Sequence, residues 1–307
     1  MKKNLLMLFT VLFFASCSDE DKVPTVDPVQ DQFTEGKIDI DISMEGSPAL
    51  SLLIEIYRQI DPSRDMDEQM EEIIAGFTEE ELAALMEFED SFDENGDGLG
   101  QLGYMMSIMF MPLIDNVVYV KGDEALAKFE ALTYRGENKI NKKTLLGQYY
   151  MQSRWNEANQ LSFTYTEEDF SKDFAQTSID GGLYNIQRTQ ETELVAGYLC
   201  RKHVYTGKSV ETAPYKLEVW TSEQMPASVN FLHPYYLEED GGIMKINAYL
   251  VNGLAYPIVY QFTEVTPRIV TAQEMSITET EPIYSYKDDE MTIAFQMFAI
   301  LFGEGED

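Results

Sequence analysis

The sequence predicts an α+β domain: an antiparallel sheet, curved or partly closed, that is covered by helices and carries an acidic helical insert after its first strand. Two observations predict it. From Asn116 onward, short segments rich in Tyr, Val, Ile and Thr succeed one another with no clear helix between them, and serial strands of this kind pair antiparallel. Ahead of them, residues 48–113 change to helical spacing with acidic outer faces.

The chain opens with Lys2 and Lys3, an apolar stretch from Leu5 to Phe14, and the small pair Ala15-Ser16 before Cys17. This pattern reads as a secretory signal over residues 1–16, too short for a span that needs about 20 apolar residues. Phe14-Ala15-Ser16-Cys17 resembles the bacterial lipobox. That resemblance implies cleavage before Cys17 and acylation of its thiol and new amino terminus, so that outer-membrane lipid holds the chain; several acyl chains suffice for stable anchoring. The plain alternative is an ordinary signal peptide that leaves Cys17 as a thiol. Ser18-Asp19-Glu20-Asp21-Lys22 resembles the acidic signal that sends Bacteroidetes lipoproteins to the outer face of the outer membrane, although a solvated linker with the domain facing the periplasm fits the same residues. Residues 17–34 then serve as a lipidated tether, reaching at most about 56 Å extended or about 23 Å as a coil. Residues 35–307 form the single domain.

In "GKIDIDISM", Ile38, Ile40, Ile42 and Met44 alternate with polar residues, which marks a half-buried strand. Met66, Met70, Ile73, Ile74 and Phe77 recur at helical spacing, with Asp67, Glu68, Glu71 and Glu72 on the other face. Thr78 and Glu81 make a capping box that starts the next helix, bearing Leu82, Leu85 and Met86. Glycines at 96, 98, 100 and 103 interrupt the insert before the methionine-rich "LGYMMSIMFMPLI". A hairpin is expected around residues 121–124, although 124–132 also fits a short helix. Further strands are expected at residues 145–151, 160–165, 184–188, 198–205, 215–220, 242–251, 255–264 and 268–277. The end reads as a helix in which Ala294, Met297, Phe298 and Leu301 share a face.

"TELVAGYLCRKHVYTG", "YKLEVWTSEQMP" and "GLAYPIVYQF" together resemble a family of uncharacterised Bacteroidetes lipoproteins related to the lipoprotein-carrier (LolA/LolB-like) fold. The resemblance implies a curved antiparallel half-barrel closed by helices around an apolar cavity, over residues 36–280. The insert of 48–113 is larger than the resemblance leads one to expect, and it fits filling such a cavity as well as covering it.

The chain carries 22 basic and 54 acidic side chains, and loss of the two leader lysines takes its net charge from −32 to −34. Nucleic acid is excluded as a partner, because phosphate binding needs clustered Lys and Arg. With Cys17 acylated, Cys200 stands alone and no internal disulfide forms.

Asp93, Asn95 and Asp97 occupy positions one, three and five of a calcium loop, and Gly98 supplies the turn. Position twelve, where a bidentate Glu belongs, is Tyr104. An exposed Asx-Gly turn is therefore preferred over this weak metal candidate. His203, His233 and Cys200 are too few for a zinc site, and no Gly-x-Ser-x-Gly elbow exposes a serine. No catalytic group and no cofactor is expected. Met105, Met106, Met109, Phe110 and Met111 form a soft apolar surface of the kind used at adaptable binding sites. With Phe295, Phe298 and Phe302 they are candidates to line a cavity for an acyl chain, against ordinary core packing. Trp155 and Trp220 are candidates for a sugar platform. The sequence thus points to an outer-membrane lipoprotein that binds a hydrophobic or amphiphilic ligand without chemistry. The alternative is an envelope interaction module with a solid core and an exposed apolar patch.

Overall fold

The computed structural model describes residues 29, 31–44, 48–61, 64–93, 111–141, 143–144, 146–166, 169, 177–233, 235–250 and 257–302. The alternating segment forms β1 (Glu35–Met44), with Ile38, Ile42 and Met44 buried. The insert follows as α1 (Pro48–Gln59), α2 (Met66–Ala75) and α3 (Glu79–Asp93). Each start has a local cause. Proline opens α1, where its missing N–H costs nothing. The Asp65 carboxylate caps α2 by accepting from the Glu68 amide at 2.9 Å. At α3 the expected box is closed in both directions, Thr78 N–H to Glu81 at 2.7 Å and Glu81 N–H to the Thr78 hydroxyl at 3.2 Å.

β2 (Asp115–Lys121) and β3 (Glu124–Glu130) then form the hairpin, turning at Gly122, whose φ is +57°. Residues 124–130 are strand and not helix. Their alternation is hidden because both faces are covered: Ala125 and Ala127 join the main core, while Leu126 lies under Val270 and Met275. The chain continues through β4 (Tyr134–Asn141), β5 (Leu146–Ser153), β6 (Gln160–Tyr165), the two-residue β7 (Thr177–Ser178), β8 (Tyr184–Val195), β9 (Tyr198–Gly207), β10 (Lys216–Pro226), β11 (Tyr235–Tyr236), β12 (Gly241–Tyr249), β13 (Ile258–Pro267) and β14 (Ile283–Ser285). The chain ends in α4 (Tyr286–Phe302).

Twelve strands make one sheet in the order β14-β6-β5-β4-β3-β2-β1-β13-β12-β10-β9-β8. Every described pairing in it is antiparallel except β14 with β6. The sheet is open, with β14 and β8 at its edges; β7 and β11 pair separately and in parallel. One row shows how the core is laid down: Ile38, Val118, Ala127, Asn138, Tyr149 and Phe163 stand opposite one another across six strands. α1 adds Ile54 to the cluster around Ile42, Met44 and Tyr260. α4 buries Ile293 and Ile300 against Tyr149, Phe163 and Tyr165. No described helix is long and apolar enough to cross a membrane.

Three expectations are corrected. β4 was not anticipated, because "YRGENKIN" is mostly polar and is held as strand by neighbours on both sides. Residues 268–277 are not a strand; after Pro267 the segment folds over β3, fixed by Arg268 to Glu274 at 2.6 Å. β8 runs past Arg188 to Val195, its polar half being legible as strand only through its pairing with β9.

Candidate functional site

At the β8 end of the sheet the register breaks between Arg188 and Thr192, so that Thr189, Gln190 and Glu191 stand against Lys202 alone. The Thr189 hydroxyl donates to the Lys202 carbonyl at 2.8 Å and holds this bulge in place. Two rows of side chains face the same side there. Arg188, His203 and Val219 form one, and Thr192, Arg201 and Thr221 form the other. The segment after β11 lays Glu239 over the first row.

The Glu239 carboxylate is only 3% exposed. It accepts from Arg188 at 2.5 and 2.6 Å and from the Tyr205 hydroxyl, and His203 Nδ1 lies 3.0 Å from its Oε2. The Arg188 guanidinium also touches the His203 ring nitrogen. Burial pushes the Glu239 carboxyl up, but the hydrogen bonds from His203, Arg188 and Tyr205 outweigh it and hold it below the ordinary carboxylate value. Burial and the neighbouring carboxylate together push the Tyr205 phenol well above its usual range.

Beside this cluster opens a cleft of about 440 Å³ whose walls include Gln190, Thr192, Leu199, Arg201, Thr221 and Gln224. Its lining mixes apolar and polar surface, and Arg188 and Arg201 share it with Glu223, Glu239 and Asp240. The Arg201 side chain makes no hydrogen bond or ion pair among the described residues, and the residue stands in register between Thr192 and Thr221. A second cleft of about 370 Å³ lies over β3–β5, but its basic groups are already paired. There Lys128 meets Glu137 at 3.2 Å, and Arg135 meets Gln152 at 2.7 Å and Glu157 at 3.1 Å.

Cys17, Asn95, Asp97, Met105, Met106, Met109 and Phe110 lie outside the described residues, and Asp93 is the last residue of α3. Met111 is described and is a core contact: its sulfur accepts from the Tyr260 hydroxyl at 3.8 Å beside the cluster of Ile42 and Leu217. Phe295, Phe298 and Phe302 face outward and line neither of the two clefts. The two tryptophans do not meet. Trp155 packs by Ile56, Ile60 and Leu132, whereas Trp220 lies between the ammonium groups of Lys202 and Lys245, 5.2 and 4.9 Å from its ring. Cys200 is fully buried and burial pushes its thiol up to about 12. His233 is buried as well; burial lowers it to about 4, and its Nε2 donates to the Ile243 carbonyl at 2.8 Å. Among the described residues no group of three His, Cys, Asp or Glu is placed to hold a metal ion. Sequence reasoning missed Glu239, Arg188 and Arg201, since "LEED" offers three equivalent acids and only the fold selects one.

No protein-family profile matches the chain, and no curated protein matches it. Among solved structures, two of PNGF-II, in the C2 and P21 space groups, overlap it at 17% and 18% identity with TM-scores of 0.37 and 0.36. Each overlap covers 61% of this chain and 30% of PNGF-II, so the chain spans less than a third of that protein's length. A domain from Vibrio parahaemolyticus, named for outer membrane lipoprotein sorting, overlaps at 8% identity and a TM-score of 0.15, over 53% of this chain and 83% of that one. Overlaps of this size assign neither fold nor function to the chain.

Proposed function

We propose that the chain is a lipid-anchored envelope protein, held in the outer membrane through Cys17 and facing the cell surface, that binds the anionic head group of a polar or amphiphilic ligand in the cleft beside Glu239. The observation that carries this reading is the Arg201 side chain at the cleft wall, which has no partner among the described residues and stands in register between Thr192 and Thr221. A guanidinium fork matches carboxylate or phosphate oxygens in a way that few other groups do. The formal charge of −32 opposes long-range attraction of an anion, so recognition rests on this short-range geometry.

The ligand is bound and not transformed. A general acid or base works best with a pKa near the ambient pH. Glu239 is held below its ordinary value with its oxygens occupied, and the Cys200 thiol is buried with a pKa pushed up to about 12. The second reading, an interaction module, is favoured by one feature, the exposed apolar face of α4.

Native mass spectrometry of the mature chain carrying Cys17→Ser, after incubation with membrane extract, tests the cleft. A discrete adduct that is lost in Arg201→Ala supports it. A clean apoprotein mass, or an adduct indifferent to Arg201→Ala, removes the proposal.

A further inference from the structure

α4 buries Ile293 and Ile300 against β5 and β6, yet its opposite side is apolar too. Met291, Phe295, Phe298 and Phe302 are 68%, 70%, 63% and 40% exposed. From Met291 to Phe302 no residue is charged. A helix that is apolar all round is normally covered on all sides. The exposed residues are spaced four, three and four apart, which is the a/d seam by which one helix packs against another.

We propose that α4 pairs with the α4 of a second copy of this chain, antiparallel across a two-fold axis, through Met291, Phe295, Phe298 and Phe302. The stripe is its own complement. Its centre falls between Phe295 and Phe298, so a two-fold axis there sets Phe295 against Phe298 of the partner subunit and Met291 against Phe302 of the partner subunit, and satisfies an isologous contact. Antiparallel helices also align their dipoles favourably. The rings of Phe298 and Phe302 already lie against each other, with centroids 4.6 Å apart, and present one continuous surface.

A lipid surface fits this face less well. Helices that lie on bilayers are rimmed by Lys and Arg, whereas this stripe is preceded by Asp288, Asp289 and Glu290 and followed by Glu304, Glu306 and Asp307, with Lys287 as the nearby base. The area sets the strength. With roughly 200 Å² for each large side chain, the four exposures amount to about 480 Å² per copy, or about 960 Å² across the pair, the size of a reversible contact and not of an obligate one. Acidic ends brought together repel, so the pair tightens as salt screens them. The site is separate from the cleft, which lies at the other end of the sheet.

Sedimentation velocity of the mature chain carrying Cys17→Ser, over a range reaching about 100 μM as suits a contact of this size, tests the pairing. The expected result is a reversible dimer that strengthens with salt and that Phe298→Glu weakens at least about 30-fold, the effect of losing a central anchor. Because residue 298 is exposed, the variant should keep the parent Tm. A mixture of Phe295→Cys and Phe298→Cys chains should cross-link to a heterodimer under mild oxidation. A monomer at every concentration overturns the proposal, and so does a dimer indifferent to Phe298→Glu. A monomer that co-sediments with phosphatidylcholine vesicles until Phe298 is replaced also overturns it, and assigns the face to lipid.

Discussion

Arg188 and Glu239 lie 51 residues apart in sequence, yet one guanidinium nitrogen of Arg188 donates to both oxygens of the Glu239 carboxylate, at 2.5 and 2.6 Å. The pair ties the edge strand β8 to the segment that follows β11, and the Tyr205 hydroxyl of β9 adds a third hydrogen bond. Three elements, β8, β9 and the segment after β11, are thereby held by one buried acid.

Glu239→Gln should therefore destabilise the domain by about 2–3 kcal/mol at neutral pH, the scale for losing hydrogen bonds to a buried charge. Arg188 is half-exposed and can turn to water, which keeps the figure below that of a stranded ion. The sign of the pH dependence follows from the lowered pKa. Glu239 contributes stability that is complete above the ordinary carboxylate value of 4.5 and is lost as pH falls through its own lower folded value. Urea midpoints of parent and variant should differ clearly at pH 7 and draw together as the pH falls below 4.5. A gap that stays constant with pH would show that the lost contribution is packing and not charge.

His233, although it must stay neutral where Glu239 must stay charged, makes the same demand on pH. Its ring stacks on Phe262 with centroids 5.4 Å apart, and burial lowers its pKa from 6.5 to about 4. The unfolded chain therefore takes up the proton first. Stability should decline as pH drops below 6.5 and level off below about 4, a loss of about 3 kcal/mol at 1.36 kcal/mol per unit. The ring proton shifts of His233 should titrate near pH 4 by NMR. A midpoint near 6.5 would mean that water reaches the ring.

The parts of this fold that the sequence revealed are those whose cause is local. Thr78 and Glu81 announce α3 because both groups of the box sit three residues apart, and Ile38 to Met44 announce β1 because one face is wet. β3 resisted, since Ala125, Leu126 and Ala127 are all buried and erase the alternation. β4 resisted for the converse reason: Gly136 is a poor strand residue that is tolerated because the Phe129 ring of the next strand covers it. The cleft could not be read at all. Arg188, Arg201, His203 and Glu239 are common residues scattered over some fifty positions, and only the register of β8–β10 and the path of the chain after β11 bring them together.

Cys200 illustrates a placement that was legible. Strand alternation sets it opposite His203, and it is fully buried with its sulfur 3.4 Å from the Tyr198 carbonyl. A thiol pushed up to about 12 offers almost no thiolate at neutral pH. In the mature chain carrying Cys17→Ser, a thiol reagent such as Ellman's should find no reactive group until denaturant is added, then one per chain. Rapid labelling of the native chain would place Cys200 in a region that opens.

The β8–β9 turn offers a gain in place of a loss. Ala196 and Gly197 both have positive φ, +48° and +83°, the geometry of a type I′ hairpin turn. Glycine adopts it freely, but alanine is strained there because its Cβ crowds the backbone. Asparagine tolerates this region and is the preferred first residue of such turns. Ala196→Asn should therefore stabilise the domain by about 0.5–1 kcal/mol without altering any core contact. Thermal denaturation would show a Tm raised by a few degrees at most, as befits a chain of this length. Ala196→Val, which adds a second branch at the same strained position, should lower it. If both substitutions left the Tm unchanged, the turn would be open in solution and the hairpin would be held by its strand pairing alone.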